Sequence, residues 1–375
     1  MIFRRPRQPL PPLTTTAARQ FDTPPHPRLS VPRVTFALAL LGGALFGGAY
    51  GIKTTVASSP PRAVGPTWFA PYVDTTLTPT NQFQDVADDP ARQVVLGFVV
   101  ADPSAPCSPS WGSYYSLDSA ASGLSLDSRV AQLRSEGIGA VVSFGGRSNT
   151  ELAVACTSLP SLEAAYTAVI HRYRAPTVDF DIEGSATTNW SSVVRRAQAL
   201  SAVQKRMRAS GGKLAIWLTL PVEPSGLNAA GLSVVTEMLR AGVDLAGVNV
   251  MAMDYGRPIS NMATAAEQAA RATHAQLAKL YTARGADLDA SQVWDKLGLT
   301  VMIGQNDDAG EQFTTANAVT VEQFAAHNGL GRLSTWSLNR DVECGSAYGE
   351  VGVVSNLCSG VSQSNLQFDS TFARL

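Results

Sequence analysis

Three acidic side chains alternate with large apolar ones in the stretch TVDFDIEG, residues 177–184. The acids are Asp179, Asp181 and Glu183, separated by a phenylalanine and an isoleucine. Because residues i, i+2 and i+4 of a β-strand share one face, a strand here would place three carboxyls in a row, about 6.6 Å apart along the strand. Acids this close repel one another when ionised, so one of them is expected to keep its proton. A proton held near neutral pH beside an ionised partner is what general acid catalysis requires.

The same alternation has two other interpretations. A D-x-D-x-E run can lie on a solvated strand face, or it can bind Ca²⁺ or Mg²⁺, which prefer carboxylate oxygens. Here the intervening residues are β-branched or aromatic, and the run ends at Gly184. This composition favours a buried strand that ends at a cleft.

Eight apolar, strand-like segments recur along the chain, and the acid row lies in the fourth. They span residues 67–76, 93–102, 139–146, 177–184, 213–222, 247–256, 297–306 and 332–341. Near-continuous apolar character is typical of parallel strands buried on both faces. Helical patterns fill most of the gaps, at residues 160–174, 189–210, 227–241 and 260–284. The alternation predicts an α/β fold, a (β/α)8 TIM barrel. An open doubly wound sheet is the alternative, but no glycine-rich phosphate loop follows the first strand.

Polar residues stand at the end of nearly every predicted strand. They are Asp74, Asp102, Ser143, Glu183, Asp254, Gln305, Asn339 and Asp341. Barrel active sites lie at the C-terminal ends of the strands, so these positions predict a site there. About half of them, particularly Asp74, Asp102 and Asp341, are expected to be helix caps or turn residues.

Four motifs resemble glycoside hydrolase family 18, the chitinase family. VDFDIE resembles the family's D-x-x-D-x-D-x-E signature, and SFGG at 143–146 resembles its S-x-G-G on the third strand. VNVMAMDYG at 248–256 is similar to the sixth-strand motif, and Trp336 matches the sugar-stacking tryptophan of the eighth strand. The resemblance covers about residues 67–375.

The resemblance implies hydrolysis of β-1,4 bonds in chitin or chitooligosaccharides by a substrate-assisted, retaining mechanism. Glu183 would protonate the glycosidic oxygen, and the acetamido carbonyl of the substrate would attack the anomeric carbon to form an oxazolinium ion. Asp181 would orient the acetamido N–H, while Asp179, deeper in the barrel, would share a proton with Asp181. Because the sugar supplies the nucleophile, no second carboxylate about 5–5.5 Å from the acid is needed.

Further site residues follow from the same resemblance, except that Gln305 is expected from its place at the end of the seventh strand and Tyr72 as an aromatic residue that could line the cleft or merely pack. Tyr255 is expected to be catalytic, and the expected substrate-binding residues are Trp336, Asp254, Met251, Gln305, Ser143, Gly145, Gly146 and Tyr72. The chain departs from the family at two places. Pro176 stands where the signature has its first Asp, and Met253 stands where the best-known members have a tyrosine. If side chains alternate through this segment, Tyr255 shares a face with Met251 and could reach the site from one layer higher.

Two other functions remain open. An endo-β-N-acetylglucosaminidase acting on other GlcNAc-containing glycans would use the same residues. A non-catalytic chitin-binding lectin would keep the barrel. Catalytically inactive members of this family usually lack the catalytic glutamate, however, and Glu183 is present.

The N-terminal region differs from the rest in composition. Residues 1–33 are rich in arginine and proline and are expected to be disordered. The segment 34–57, uncharged through residue 52, predicts a signal peptide or a single membrane anchor. The composition of residues 58–66 predicts a linker before a catalytic domain at 67–375. Either interpretation of the apolar segment places the domain outside the cytoplasm, secreted or anchored to the membrane.

Four cysteines fit such a location. Outside the cytoplasm an even number predicts disulfides, and pairing of Cys107 with Cys156 and of Cys344 with Cys358 is the simplest of three connectivities. A zinc site is the alternative, but the chain has no C-x-x-C motif and only four histidines.

The net charge of −1 gives no excess of basic residues that would favour binding to nucleic acid. We expect a monomer with no cofactor and no metal.

Overall fold

The computed structural model describes residues 67–85, 91–345 and 354–375. The segments 1–33, 34–57 and 58–66, for which the sequence predicts a disordered leader, a signal or anchor and a linker, lie outside these ranges. Among the helices of the described residues, none combines the length and the apolar character that crossing a bilayer requires.

Eight parallel strands form the core, and each falls within one of the eight predicted segments except β6, which begins two residues before its segment and ends at Met251. The strands are β1 (Trp68–Phe69 and Tyr72–Asp74), β2 (Gln93–Asp102), β3 (Gly139–Gly145), β4 (Thr177–Asp181), β5 (Ala215–Pro221), β6 (Leu245–Met251), β7 (Leu297–Met302) and β8 (Arg332–Trp336). They pair in chain order from β2 to β8. The ring closes through β1, because Trp68 pairs with Arg332 on β8 and Tyr72 pairs with Val95 on β2. The prediction of a (β/α)8 barrel is confirmed.

Helices cover the outside of the barrel. They are α1 (Leu117–Gly123), α2 (Leu126–Ser135), α3 (Leu152–Ala155), α4 (Leu159–Arg172), α5 (Ser185–Thr188), α6 (Trp190–Ala209), α7 (Ala229–Arg240), α8 (Met262–Ala283), α9 (Ala290–Asp295), α10 (Thr315–Asn328) and α11 (Gln367–Phe372), with a 3₁₀ turn at Leu338–Arg340. The four predicted helices correspond to α4, α6, α7 and α8. Asn189, Asn228 and Asn261 cap the last three, each accepting a backbone N–H within the first turn, which explains where these helices begin.

The apolar residues of the acid row face these helices. The ring of Phe180 stacks on Phe144 of β3 with 4.9 Å between centroids, and both rings meet Tyr166 of α4 edge to face. Since side chains alternate along a strand, packing this face outward turns the three acids into the barrel.

Two small antiparallel elements extend the barrel. A hairpin of Ala105–Trp111 and Tyr115–Ser116 follows β2, and a second pair, Gly304–Gln305 with Gln312–Phe313, follows β7. Both predicted disulfides are present: the cysteines of Cys107–Cys156 are 49 positions apart in the sequence, and those of Cys344–Cys358 are 14 positions apart. In the chain-entropy description, loops of these lengths stabilise the fold by about 4 and about 3 kcal/mol.

Candidate active site

A cavity of about 840 Å³ opens at the C-terminal ends of the strands. Its walls include residues from all eight strands or the loops that follow them: Tyr72, Phe98, Arg147, Asp181, Glu183, Thr219, Met251, Asp254, Asp307 and Trp336. This is the edge of the barrel where the sequence predicted the site.

One side of the cavity is aromatic. Trp336 of β8 stacks on Phe98 of β2 with 5.6 Å between centroids, and Tyr72 of β1 lies 6.0 Å from Phe98 and 6.2 Å from Trp336. We call these three residues the aromatic wall. Tyr72 and Trp336 were predicted to contact substrate, whereas Phe98 was not, because nothing in an apolar strand sequence distinguishes it from its neighbours.

The acid row lies on β4, across the eight-stranded ring from β8, which carries Trp336. Ile182 continues the pairing with β5 by donating its N–H to Thr219 at 2.9 Å, so the alternation persists beyond the last residue of the strand. Burial decreases outward along the row: Asp179 is fully buried, Asp181 is 4% exposed, and Glu183 is partly exposed. The three carboxyls therefore face the same interior from successive depths.

Asp179, the deepest acid, is saturated with donors. Its Oδ2 accepts from the hydroxyls of Tyr72 at 2.9 Å and Ser143 at 2.6 Å. Its Oδ1 accepts from the hydroxyl of Thr219 at 2.7 Å and from Arg332 at 2.7 Å. Its negative charge is thus compensated within the barrel.

Arg332 of β8 supplies the positive charge below the site. Both partners of its ion pair with Asp179 are fully buried. The guanidinium lies over the rings of Tyr72, Trp68 and Trp217 at 5.3 to 5.7 Å from their centroids. A buried pair is strongly destabilised when one partner is removed, so Arg332 holds Asp179 in place. Sequence reasoning missed it, although an arginine inside an apolar strand is a signal that a buried acid lies nearby.

Asp181 occupies the middle of the row and lines the cavity. Its Oδ1 is buried and has no hydrogen-bond partner among the described residues. Burial and the charges of Glu183 and Asp179 raise its pKa well above the usual range, against a smaller lowering effect of Arg332. Asp181 therefore tends to hold a proton, and one of its oxygens is available to a ligand in the cavity.

Glu183 stands at the outer end of the row. Burial raises its pKa to about 7; Arg147 opposes this effect, and Asp254 and Asp307 reinforce it. Arg147 and Asp307 form an ion pair of 3.3 Å at the mouth of the cavity, between the ends of β3 and β7. A carboxyl with a pKa near 7 is protonated in a large fraction of molecules at neutral pH, as a general acid must be.

Two curated relatives match about three quarters of the chain. It is 35% identical over 292 residues to the Escherichia coli (strain K12) protein named "Probable bifunctional chitinase/lysozyme", covering 74% of this chain and 31% of that protein. It is 34% identical over 286 residues to "Endochitinase 11" of Metarhizium anisopliae, covering 73% of this chain and 52% of that protein. The chain therefore spans from about a third to about half the length of these relatives. No family model matches the sequence.

Solved structures agree with this similarity. The catalytic domain of the hyperthermophilic chitinase from Pyrococcus furiosus superimposes with a TM-score of 0.72 at 28% identity, covering 84% of this chain and 96% of that one. The catalytic domain of a family GH18 chitinase from the fern Peteris ryukyuensis has the same fold, with a TM-score of 0.51 at 12% identity over 82% of this chain and 98% of that one. The chain belongs to glycoside hydrolase family 18.

The two glycines of the family 18 motif on β3 make room for the site. Gly145 has φ of +99°, and a Cβ there would collide with the carbonyl oxygen of Asp181. Gly146 has φ of +84°, donates its N–H to the same carbonyl at 2.9 Å, and would place a Cβ 3.0 Å from the ring of Phe98. Both glycines were predicted to bind substrate; the structure shows that they let β3 pack against the acid row and the aromatic wall.

Besides Asp179 and the two glycines, three of the predicted site residues do not line the cavity. Ser143 donates to Asp179 instead of facing a ligand. The side-chain amide of Gln305 donates to carbonyls of its own loop, including those of Asn306 and Glu311 at 3.1 Å. Tyr255 is buried and is not among the residues that line the cavity.

The alternation assumed for Tyr255 fails at the preceding residue. Asp254 has φ of +49°, which turns the chain, so Met251 and Tyr255 do not share a face. The N–H of Tyr255 donates to Glu311 at 2.8 Å, beneath the loop that follows β7. Met251, Met253 and Asp254 do line the cavity, so the sixth-strand motif contributes these residues instead of the tyrosine.

An acidic cluster beside the cavity joins the loops after β6 and β7. Oxygens of Asp254, Asp308 and Glu311 lie within 4.8 Å of one another, so within the described ranges this group could hold a metal ion. Each carboxylate also accepts a backbone N–H from the other loop, at 2.7 to 2.8 Å. The cluster thus has a structural role in fixing the loop that carries Asp254.

Proposed function

We propose that the protein hydrolyses β-1,4 glycosidic bonds in chitin or chitooligosaccharides by a substrate-assisted, retaining mechanism. The observation that carries the proposal is the arrangement of Asp181 and Glu183. Both have raised pKa values, and both line one cavity together with the three residues of the aromatic wall.

The aromatic wall supports binding of a pyranose ring. The rings of Trp336 and Phe98 stack on each other, and both line the cavity. A sugar has an apolar face of C–H groups that can pack on such a surface, while its hydroxyls reach the polar groups around it. A sugar packed on this wall would lie in the same cavity as Asp181 and Glu183.

In the first step Glu183 acts as general acid. Its proton goes to the glycosidic oxygen, and the bond between that oxygen and the anomeric carbon breaks with the electron pair leaving on oxygen. The carbonyl oxygen of the substrate's acetamido group forms a new bond to the anomeric carbon, which gives an oxazolinium ion. A pKa of about 7 suits an acid that must give its proton at neutral pH.

Asp181 has the properties of the group that directs the acetamido nucleophile. Its buried Oδ1 has no partner in the described part of the chain, and an acetamido N–H would satisfy it. A shared proton on the Asp179–Asp181 pair would let Asp181 become more negative as the positive charge develops. Asp179 is already compensated by Arg332, which favours placing that proton on Asp181.

In the second step the Glu183 carboxylate takes a proton from water, whose oxygen attacks the anomeric carbon and opens the oxazolinium ring. Two inversions give net retention. A direct protein nucleophile is less consistent with the site, because Asp181 stands on the same strand as Glu183 and its raised pKa disfavours the ionised form that attacks.

Turnover of defined substrates tests the proposal. Chitotetraose should be cleaved, with the β-anomer as the first product detected by NMR, and Glu183→Gln should abolish cleavage while binding persists. Cleavage of a high-mannose glycopeptide but not of chitotetraose would favour an endo-β-N-acetylglucosaminidase. Binding of chitotetraose without cleavage of either substrate would favour a lectin. Normal turnover by Glu183→Gln would exclude Glu183 as the acid.

We also propose that the domain acts outside the cytoplasm. The two disulfides support this location, because such bonds persist in oxidising compartments. Mass spectrometry of the protein from its native host, with thiols alkylated before reduction, should find all four cysteines protected. Free thiols would contradict it.

A further inference from the structure

We propose that Tyr114 forms an outer sugar-binding subsite, which holds a pyranose ring of a longer chain away from the bond that is cleaved. The inference rests on the proposed hydrolysis of chitooligosaccharides and adds to it a residue that discriminates chain length. Tyr114 is 77% exposed, more than any other large apolar side chain in the described ranges, yet it lines the same cavity as Glu183 and Trp336.

The ring stands at the tip of the hairpin that follows β2. Trp111 and Tyr115 pair across the hairpin, so Gly112, Ser113 and Tyr114 form its turn. Gly112 and Ser113 have φ of +57° and +66°, and the N–H of Tyr114 donates to the carbonyl of Trp111 at 3.0 Å. The tight turn directs the Tyr114 ring outward while the backbone beneath it is closed by hydrogen bonds.

Hydrogen bonds fix this tip to the cavity. The N–H of Gly112 donates to the carbonyl of Phe98, a member of the aromatic wall, at 3.0 Å. The side-chain amide of Asn149, in the loop after β3, donates to the carbonyl of Gly112 at 3.2 Å and accepts from the hydroxyl of Ser113 at 3.0 Å. The backbone that carries Tyr114 is therefore held at a set position relative to the site.

The base of the hairpin is also anchored. Trp111 is fully buried, and its indole N–H donates to the hydroxyl of Tyr173 at 3.0 Å. The Cys107–Cys156 disulfide joins the first strand of the hairpin to the end of α3. A ring presented on an anchored backbone loses little conformational entropy when a ligand binds, which increases the net affinity that its contact contributes.

The size and surroundings of the exposed surface fit a sugar. Thr76 and Asn149 contact the hairpin tip and line the cavity with Ser148, so they offer polar groups to sugar hydroxyls beside an apolar ring face. A protein partner is a poor fit for this surface, because a specific protein interface buries about 1,000 Å² or more. A single aromatic ring with polar groups around it has the area to contact one pyranose. Continuity with the cavity identifies that pyranose as a part of the substrate outside the catalytic position.

Comparison of a long and a short substrate tests this subsite. The substrates are chitohexaose and a chromogenic chitobioside, and the variants are Tyr114→Ala and Tyr114→Phe. Tyr114→Ala should lower kcat/KM for chitohexaose about tenfold, which corresponds to about 1.4 kcal/mol, and should change the value for the chitobioside less than about twofold. The loss should reside mainly in KM, because an outer subsite binds ground state and transition state alike. Tyr114→Phe keeps the ring face and should retain activity on both.

Trp190→Ala is the matched control. Trp190 is 54% exposed and lies outside the cavity lining, so this variant should leave the ratio of the two kcat/KM values unchanged. If Tyr114→Ala lowered kcat/KM equally for both substrates, or for neither, the proposed subsite would be overturned. It would also be overturned if Tyr114→Phe lowered kcat/KM for chitohexaose as much as Tyr114→Ala does. If the wild type cleaves neither substrate, the proposed function is wrong. Calorimetry with chitohexaose then decides the subsite: a Kd raised about tenfold by Tyr114→Ala supports it, and an unchanged Kd refutes it.

Discussion

Replacing Glu183 with glutamine should make the protein more stable at neutral and alkaline pH, and by an amount that depends on pH. The pKa of this carboxyl is raised from its usual value of 4.5 to about 7 in the folded chain. Between these values the folded state binds more protons than the unfolded state, so the unfolding free energy of the wild type falls as pH rises. Glutamine does not titrate and escapes this loss.

The magnitude follows from the two values. A shift from 4.5 to about 7, at 1.36 kcal/mol for each pKa unit, corresponds to about 3 kcal/mol once pH exceeds 7. The wild type and Glu183→Gln should therefore be similar in stability at pH 4, where the wild-type carboxyl is protonated in both states. At pH 8 the variant should be more stable by about 3 kcal/mol, a large fraction of the stability of a typical domain.

Urea denaturation at pH 4 and pH 8 measures the difference, with the m-values compared to confirm that the same transition is followed. Glu136→Gln serves as control, because it removes a glutamate from an exposed position and should shift stability by less than about 0.5 kcal/mol at both pH values. A difference that stays constant between pH 4 and pH 8, or a wild type more stable than Glu183→Gln at pH 8, would refute the reasoning that burial destabilises the ionised Glu183.

Two further perturbations probe the charges around the acid row. Arg147→Gln removes the cation that lowers the pKa of Glu183, so the pKa should rise and the alkaline limb of kcat/KM should move to higher pH. Because Arg147 is 71% exposed and screened by solvent, we expect the alkaline limb to shift by about 0.5 pH unit at low salt and by less at high salt. An alkaline limb that stays in place or moves to lower pH would contradict this expectation. Arg332→Met leaves Asp179 buried without its counter-charge and should lower the unfolding free energy by about 3–5 kcal/mol in urea denaturation. The double variant with Asp179→Asn should recover part of that loss, and a single variant as stable as the wild type would show that the pair is not needed.

The barrel could be predicted because each strand carries its own signal. Strands β2 to β8 are buried on both faces, which produces short apolar runs that stand out between helical patterns. The acid row was visible for a related reason. Alternation of Asp179, Asp181 and Glu183 with apolar residues requires one face of β4 to be polar while the other packs on α4, and only the barrel interior can accept that polar face.

The rest of the site depends on contacts between strands far apart in sequence. Arg332 meets Asp179 across 153 positions, and no local pattern encodes that pairing. Phe98 and Arg147 reach the cavity for the same reason. The prediction for Tyr255 failed because a local rule was applied beyond its range. Side chains alternate only within a strand, and the positive φ of Asp254 ends the alternation one residue before the tyrosine.

The layers beneath Glu183 explain why its acidity can be set near neutral pH in a stable barrel. Arg332 and three hydroxyls compensate Asp179 at the bottom of the row, so the deepest charge is not left unpaired. Asp181, one layer up, lacks such donors in the described ranges, and its raised pKa relieves the repulsion that a third ionised acid would create. Glu183 then experiences burial with only the exposed Arg147 to oppose it. Compensation that weakens from Asp179 to Glu183 thus leaves the transferable proton at the outermost acid, where a substrate can reach it.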